Sequence, residues 1–208
     1  MNPNTTEINL TPGSTWVLDL ENQDIEEICI GLSWGVIKHK SFFGLVSKPQ
    51  TVDLDACFSM FDNQKKHLDT VYYGNLISFD GALRHSGDDR NGEAANQELS
   101  ENELVECDLK RLSPEVHSIF IYVNSYSGKD FSEIPFVRLR IYQGLKPSAR
   151  KLMAVFHSEA NPKHRLKTCM VVLEIRKVGN AWHFKAIGES NSTKKLKETL
   201  EILELEYV

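Results

Sequence analysis

At 208 residues and 23.7 kDa, the chain can bury a proper core as one domain, or as one domain with a short appendage. A formal charge of -5 and a pI near 5.8 argue against generic nucleic-acid binding, which needs a basic face to neutralise phosphates. Hydrophobic content of 41%, charged content of 25% and a mean hydropathy of -0.33 are those of a globular protein, and no apolar run approaches the length of a membrane span.

Met1-Asn2-Pro3-Asn4-Thr5-Thr6 has neither a basic start nor an apolar stretch, so no secretory signal is expected. Ile8 to Leu10 alternates briefly before the turn residues Pro12-Gly13-Ser14, and Trp16 to Leu18 is a second short strand. In Glu26 to Trp34, a period of two puts Ile28, Ile30, Leu32 and Trp34 on one face. Lys38 to Gln50 reads as a long loop. Val52 to Phe61 alternates again, with Asp53 and Asp55 on the face opposite Val52, Leu54, Ala56, Phe58 and Met60. Val71 to Tyr73 is a further candidate strand, followed by a turn at Phe79-Asp80-Gly81 and the polar loop His85 to Glu93.

Leu104 to Leu109 resumes the alternation. Ser118 to Asn124 is apolar on both faces, as a central strand would be. Phe136 to Tyr142 sets Val137, Leu139 and Ile141 against Arg138 and Arg140. Leu152 to Phe156, Cys169 to Lys177 and Ala181 to Ile187 complete the series, the last two joined by the hairpin signal Val178-Gly179-Asn180. About eight to ten such strands without intervening amphipathic helices predict an all-β fold, an antiparallel β-sandwich. One helix is predicted, at the C-terminus, where Leu196, Leu200, Leu203 and Tyr207 recur at helical spacing. Its lysines precede its glutamates, against the helix macrodipole, so packing rather than propensity must hold it. The sandwich is expected over residues 1–190 and the helical extension over 191–208.

Charge is concentrated in one place. From Gly87 to Asp108 stand eight acids (Asp88, Asp89, Glu93, Glu98, Glu101, Glu103, Glu106, Asp108) and one base, Arg90. That local balance of -7 leaves about +2 for the remainder of a chain whose total is -5. Two carboxylates about 4 Å apart repel by roughly 4 kcal/mol at an effective dielectric near 20, so the segment is either splayed into water or neutralised by a cation. Asp53 and Asp55, two apart on a strand, lie roughly 6.7 Å apart and point the same way, within reach of one cation. Calcium takes six to eight oxygens and accepts irregular loops such as Gly87 to Glu93. An EF-hand is excluded: with Gly92 as its glycine, the first ligand position falls on Gly87, and neither flank is helical. Spacing alone leaves the solvated tip and the cation site both open.

The order of Gly31-Leu32-Ser33-Trp34, Val52-Asp53-Leu54-Asp55-Ala56, Tyr72-Tyr73-Gly74-Asn75-Leu76, His85 to Glu93, Glu101-Asn102-Glu103 and Trp182 to Gly188 resembles the TerD family of tellurite-resistance and stress proteins over roughly residues 7–189. The resemblance implies a calcium-binding β-sandwich of the bacterial cytoplasm, peripheral to the inner membrane, with no catalytic activity and with other stress-complex proteins as partners. There are departures. Gly35 stands where family members carry an aspartate, and Ala94 to Ser100 replaces a glycine-bearing stretch ahead of an acidic triplet that is here Glu101-Asn102-Glu103. The resemblance therefore implies one surviving calcium site built from Asp53, Asp55, Asp88, Asp89 and Glu103. Asn91, Glu93, Glu101 and Asn102 are further candidate donors, and a second site is weakened or absent.

Other chemistry finds little support. The seven histidines show no H-x-H or H-E-x-x-H spacing, and no phosphate loop or G-x-S-x-G nucleophile motif occurs. His85 reads as a strand-end hydrogen-bonding residue, Arg138 and Arg140 as a solvated or salt-bridged face, and Trp16, Trp34 and Trp182 as core. Cys29, Cys57, Cys107 and Cys169 lie far apart in apolar runs, which predicts buried thiols of a reducing compartment. A rival reading is a calcium-dependent membrane- or ligand-binding sandwich, for which Phe42-Phe43 with Lys38, Lys40 and Lys48 would supply the contact surface. The leucine stripe of the helix predicts docking or self-association.

Overall fold

A computed structural model describes residues 7–19, 25–37, 49–87 and 101–207. Alternating side chains dictate strands, and among the described residues twelve form. They are β1 (Ile8–Leu10), β2 (Thr15–Asp19), β3 (Glu27–Trp34), β4 (Leu54–Phe61), β5 (His67–Val71), β6 (Leu83–His85), β7 (Glu103–Asp108), β8 (Ser118–Ser125), β9 (Phe136–Gln143), β10 (Lys151–Glu159), β11 (Cys169–Val178) and β12 (Ala181–Asn191), followed by the helix α1 (Leu196–Glu206). The first sheet runs β1-β10-β9-β3-β7-β6 and the second β2-β12-β11-β8-β4-β5. Pairing is antiparallel throughout except for the parallel edge pair of β1 and β10.

The expected sandwich is therefore present, with more strands than eight to ten. The addition that sequence conceals is β6, whose three residues are too few to display a period. The strand expected at Val71 to Tyr73 instead ends at Val71, and Tyr72 only bridges to Asn75 across a tight turn. The long loop predicted from Lys38 lies outside the described residues up to 48, and Ile37 and Gln50 pair at its two ends. At the β11–β12 hairpin the signal holds: Val178 pairs with Ala181 around Gly179-Asn180, and Gly179 takes the left-handed φ of 59° that this turn needs.

Between the sheets lie Ile28, Ile30, Leu32 and Trp34 from β3, Leu54, Ala56, Phe58 and Met60 from β4, and Val137, Leu139 and Ile141 from β9. The outer face of the second sheet is apolar as well. Cys57, Phe61, Phe120, Tyr122, Cys169, Val171 and Ile187 form a second cluster, closed by Leu203 of α1 with Leu196, Leu200 and Tyr207 packed beside it. This explains why β8 reads as apolar on both faces: it sits inside its sheet, with core on one side and helix on the other. The leucine stripe of α1 thus meets the protein's own sheet, while Leu205, 84% exposed, points away from it.

Packing anchors the helix, as its charge order requires. One local feature also helps, since the Glu198 carboxylate accepts hydrogen bonds from the backbone N–H groups of Lys194 (2.9 Å) and Lys195 (3.3 Å) at the helix start. Those bonds hold the Glu198 carboxyl below its usual range. All four cysteines are buried free thiols. Among the described residues, no helix is long and apolar enough to cross a membrane.

Candidate functional site

The end of the sandwich where β4 begins gathers most of the described candidate residues. Asp53 precedes β4 and Asp55 lies within it, on the side of Cys57 and opposite Leu54 and Ala56, which face the inter-sheet core. Two bonds fix this entry. Trp34 of β3 donates from its indole Nε1 to the carbonyl of Val52 across the sandwich at 2.9 Å, and the N–H of Tyr126 donates to the carbonyl of Asp53 at 3.1 Å.

The described residues on the two sides of the acidic loop lie next to each other. Ser86 donates its N–H to the carbonyl of Leu104 at 2.8 Å, and Leu104 N–H returns a bond to Ser86 Oγ at 3.0 Å. His85 Nδ1 accepts from Gly87 N–H at 3.0 Å, which is the strand-end role expected of it. The other ring nitrogen, Nε2, faces Glu103 Oε2 at 3.4 Å. Both side chains are fully buried, at 0% and 1% exposure.

Glu103 is the hinge of the arrangement. It belongs to β7 of the first sheet, paired with Leu32 of β3, yet its Oε2 accepts the N–H of Ala56 in β4 of the second sheet at 2.8 Å. Near Ala56 the strand β4 lacks a partner on that side, because β5 pairs only with Phe58 to Phe61. A backbone N–H buried there without an acceptor would be costly, and the carboxylate supplies one. Burial pushes the Cys57 thiol well above its ordinary value, and the negative charges of Asp55 and Glu103 push the same way. Both carboxylates therefore act in one electrostatic neighbourhood. Burial and the Asp55 charge likewise raise the Tyr73 phenol.

The rest of the acidic triplet goes elsewhere. The chain bends at Asn102, whose N–H donates to the carbonyl of Leu32 at 2.8 Å and whose Oδ1 accepts the N–H of Trp34 at 3.0 Å. Beyond the bend, Glu101 crosses the outer face of the first sheet. Its Oε1 accepts from Arg140 Nη1 at 2.7 Å and from the Tyr142 hydroxyl at 2.6 Å. Burial lowers the Arg140 pKa, but the bond and charge of Glu101 outweigh that and hold it above the usual value. Burial and the Glu101 carboxylate raise the Tyr142 phenol. Gly31 of β3 lies beneath, and a Cβ there would stand 2.5 Å from Glu101 Cγ.

Of the residues expected to ligate a cation, Asp55 and Glu103 thus come to one end of the sandwich, Glu103 bonded to the Ala56 N–H next to Asp55 in the chain, with Asp53 two residues from Asp55. Asn102 caps β3 and Glu101 pairs with Arg140. Asp53, Asp55, Asn102 and Glu103 are all engaged by neighbours. Asp88, Asp89, Asn91 and Glu93 lie outside the described residues, as do Phe42, Phe43, Lys38, Lys40 and Lys48. Among the described residues, no three His, Cys, Asp or Glu side chains converge as a metal cage. Arg140, Tyr142 and Gly31 carry no site signal in the sequence beyond the alternation that puts Arg140 and Tyr142 on one face.

A family model described as the TerD domain matches residues 6–201, into the first half of α1. The tellurium resistance protein TerZ of Serratia marcescens is 27% identical over 184 residues, covering 88% of this chain and 90% of that protein. The stress response protein SCP2 of Bacillus subtilis is 26% identical over 206 residues, covering 93% and 97%. A solved homologue of telluride resistance protein (TerD) from Streptomyces coelicolor A3(2) superimposes with a TM-score of 0.59 at 16% identity, over 83% of this chain and 94% of that one. At that identity the structural likeness speaks for the fold alone.

Proposed function

Because this chain is a member of the TerD family of tellurium-resistance and stress-response proteins, we propose that it acts without catalysing a reaction, as a calcium-binding module of the bacterial stress response that works through protein partners. It would do so in the cytoplasm, at the periphery of the inner membrane. The observation that supports this reading most is the cross-sheet bond from Ala56 N–H to Glu103 Oε2, which ties the end of the acidic segment to the strand that carries Asp55.

The donor set suits a hard cation. Asp53, Asp55 and Glu103 offer carboxylate oxygens, and Asp88 and Asp89 would add those of the loop, toward the six to eight that calcium takes. Glu101 and Asn102 do not fit this set, since both are committed to partners within the first sheet. Bound calcium would supply part of the positive charge that the segment's balance of -7 calls for, beside the arginines that already pair with Glu101 and Glu106. The chain's own part is to hold Asp55 and Glu103 in register through the Trp34, Ala56 and His85 contacts.

Calorimetric titration with calcium and then magnesium tests the reading. The expected result is uptake of calcium by the protein and its loss in the Asp53→Asn, Asp55→Asn variant. Failure of both proteins to take up calcium at millimolar concentration would overturn it.

A second reading, calcium-dependent attachment to an anionic membrane, is favoured by one feature. Tyr73, 42% exposed, feels the charge of Asp55, Tyr126 near it is 72% exposed, and Leu76, Ile77 and Phe79 are exposed in the same β5–β6 connection as Tyr73. Sedimentation with anionic liposomes separates the two readings, because only this one requires a calcium-dependent shift onto vesicles.

A further inference from the structure

Two of the three residues at the exit of the acidic segment are carboxylates, yet they are sent to opposite sides of the first sheet. The bend at Asn102 divides them: Glu103 turns inward to Ala56 N–H, and Glu101 turns outward across Gly31. Glu101 and Arg140 are each 5% exposed in their side chains, and Glu101 Oε1 already takes two donors, at 2.7 Å and 2.6 Å. Below the carboxylate the approach is closed by the backbone of β3, since even a methyl group at Gly31 would overlap Glu101 Cγ and Cδ at 2.5 Å and 2.6 Å.

We propose that Glu101, Arg140 and Tyr142 form a built-in clasp whose cation is the Arg140 guanidinium. Glu101 is then no ligand, the clasp holds the segment's exit whether or not a metal is present, and Glu101 is withheld from any second divalent ion beside the one that the calcium reading places at Asp55 and Glu103. The part concerning ion number rests on the calcium reading above; the part concerning the clasp stands without it. The physical reason is charge. A guanidinium 2.7 Å from the carboxylate already compensates it, and a divalent ion on the same group would face that fixed positive charge at close range in a site shielded from water. The second oxygen, Glu101 Oε2, is buried without a hydrogen-bond partner. It marks where a cation would settle if the arginine were removed.

The test counts bound calcium by native mass spectrometry and follows melting in calcium and in EGTA, for the wild type, Glu101→Gln and Arg140→Met. The expected results are one calcium in the wild type, one in Glu101→Gln with affinity unchanged within about threefold, and more than one in Arg140→Met. Glu101→Gln breaks the buried ion pair with Arg140, so its melting temperature should fall by roughly 10 °C, equally in calcium and in EGTA. Should Arg140→Met fail to fold, Glu101→Gln decides alone. Two calcium ions in the wild type and one in Glu101→Gln would overturn the inference, as would a melting loss that appears only with calcium. Absence of calcium from the folded proteins, with the melting loss intact in EGTA, would remove the calcium reading and leave the clasp standing.

Discussion

Replacing Gly31 with alanine should destabilise this protein, although most glycine-to-alanine changes in a strand do the opposite. Gly31 has no left-handed φ to preserve, so alanine fits its backbone and, by restricting the unfolded chain, should stabilise by about 0.4–1 kcal/mol. The added Cβ would stand 2.5 Å from Glu101 Cγ and 2.6 Å from Cδ, however, where ordinary contact begins at 3.4 Å. Glu101 must move by about 1 Å, and its bonds to Arg140 and Tyr142 at 2.7 Å and 2.6 Å cannot follow such a shift. Separating a buried ion pair costs about 3–5 kcal/mol, because two charges are then held out of water without their closest counter-charge. The net loss is then about 2–4 kcal/mol, a fall in melting temperature of roughly 10 °C for a domain of this size. Urea unfolding followed by tryptophan fluorescence measures it, in the wild type and in a Glu101→Ala background. In that background the clash is gone, so Gly31→Ala should be neutral or mildly stabilising. A neutral Gly31→Ala in the wild type, or an equal loss in both backgrounds, would refute the reasoning.

Two further outcomes follow from the packing. Leu203→Ala should cost about 2–5 kcal/mol in urea unfolding, since Leu203 is fully buried against the second sheet, whereas Leu205→Ala on the outward face should stay within about 0.5 kcal/mol. The buried thiols give a pH dependence: burial raises Cys29 and Cys169 to about 11 from an ordinary value of 9.0. Each raised thiol contributes stability that is fully present below the unfolded pKa and is lost as pH rises toward the folded one. The urea midpoint should therefore fall between about pH 9 and 11, less so in a Cys29→Ala, Cys169→Ala variant. At pH 8 a thiol reagent should label the folded protein far more slowly than the unfolded one.

Local periodicity is what a chain states most plainly, and here it was enough for the sandwich. The alternation in β3, β4 and β9 assigns Ile30, Leu54 and Leu139 to the core and Arg140 to the other face without any knowledge of pairing. The 3.6-residue spacing of Leu196, Leu200 and Leu203 likewise identifies α1 and its apolar side. The order of motifs around Asp53, Asp55 and His85 is a property of sequence too, and it pointed to the family that the comparison finds.

Partnership was decided only in three dimensions. Alternation could say that Arg140 leaves the core, but the carboxylate that meets it lies 39 residues away. Glu103 reaches Ala56 over 47 residues, and Asn102 caps Trp34 over 68. Adjacent acids in the sequence suggested one shared ligand set, yet the bend at Asn102 turns Glu101 out and Glu103 in. The leucine stripe of α1 promised a docking surface, and the uncovered apolar face of the second sheet provided one within the same chain. The reason is common to all of these. A side chain's face is set by its own backbone torsions and is written locally, whereas its partner is set by which strands the sandwich brings across from one another.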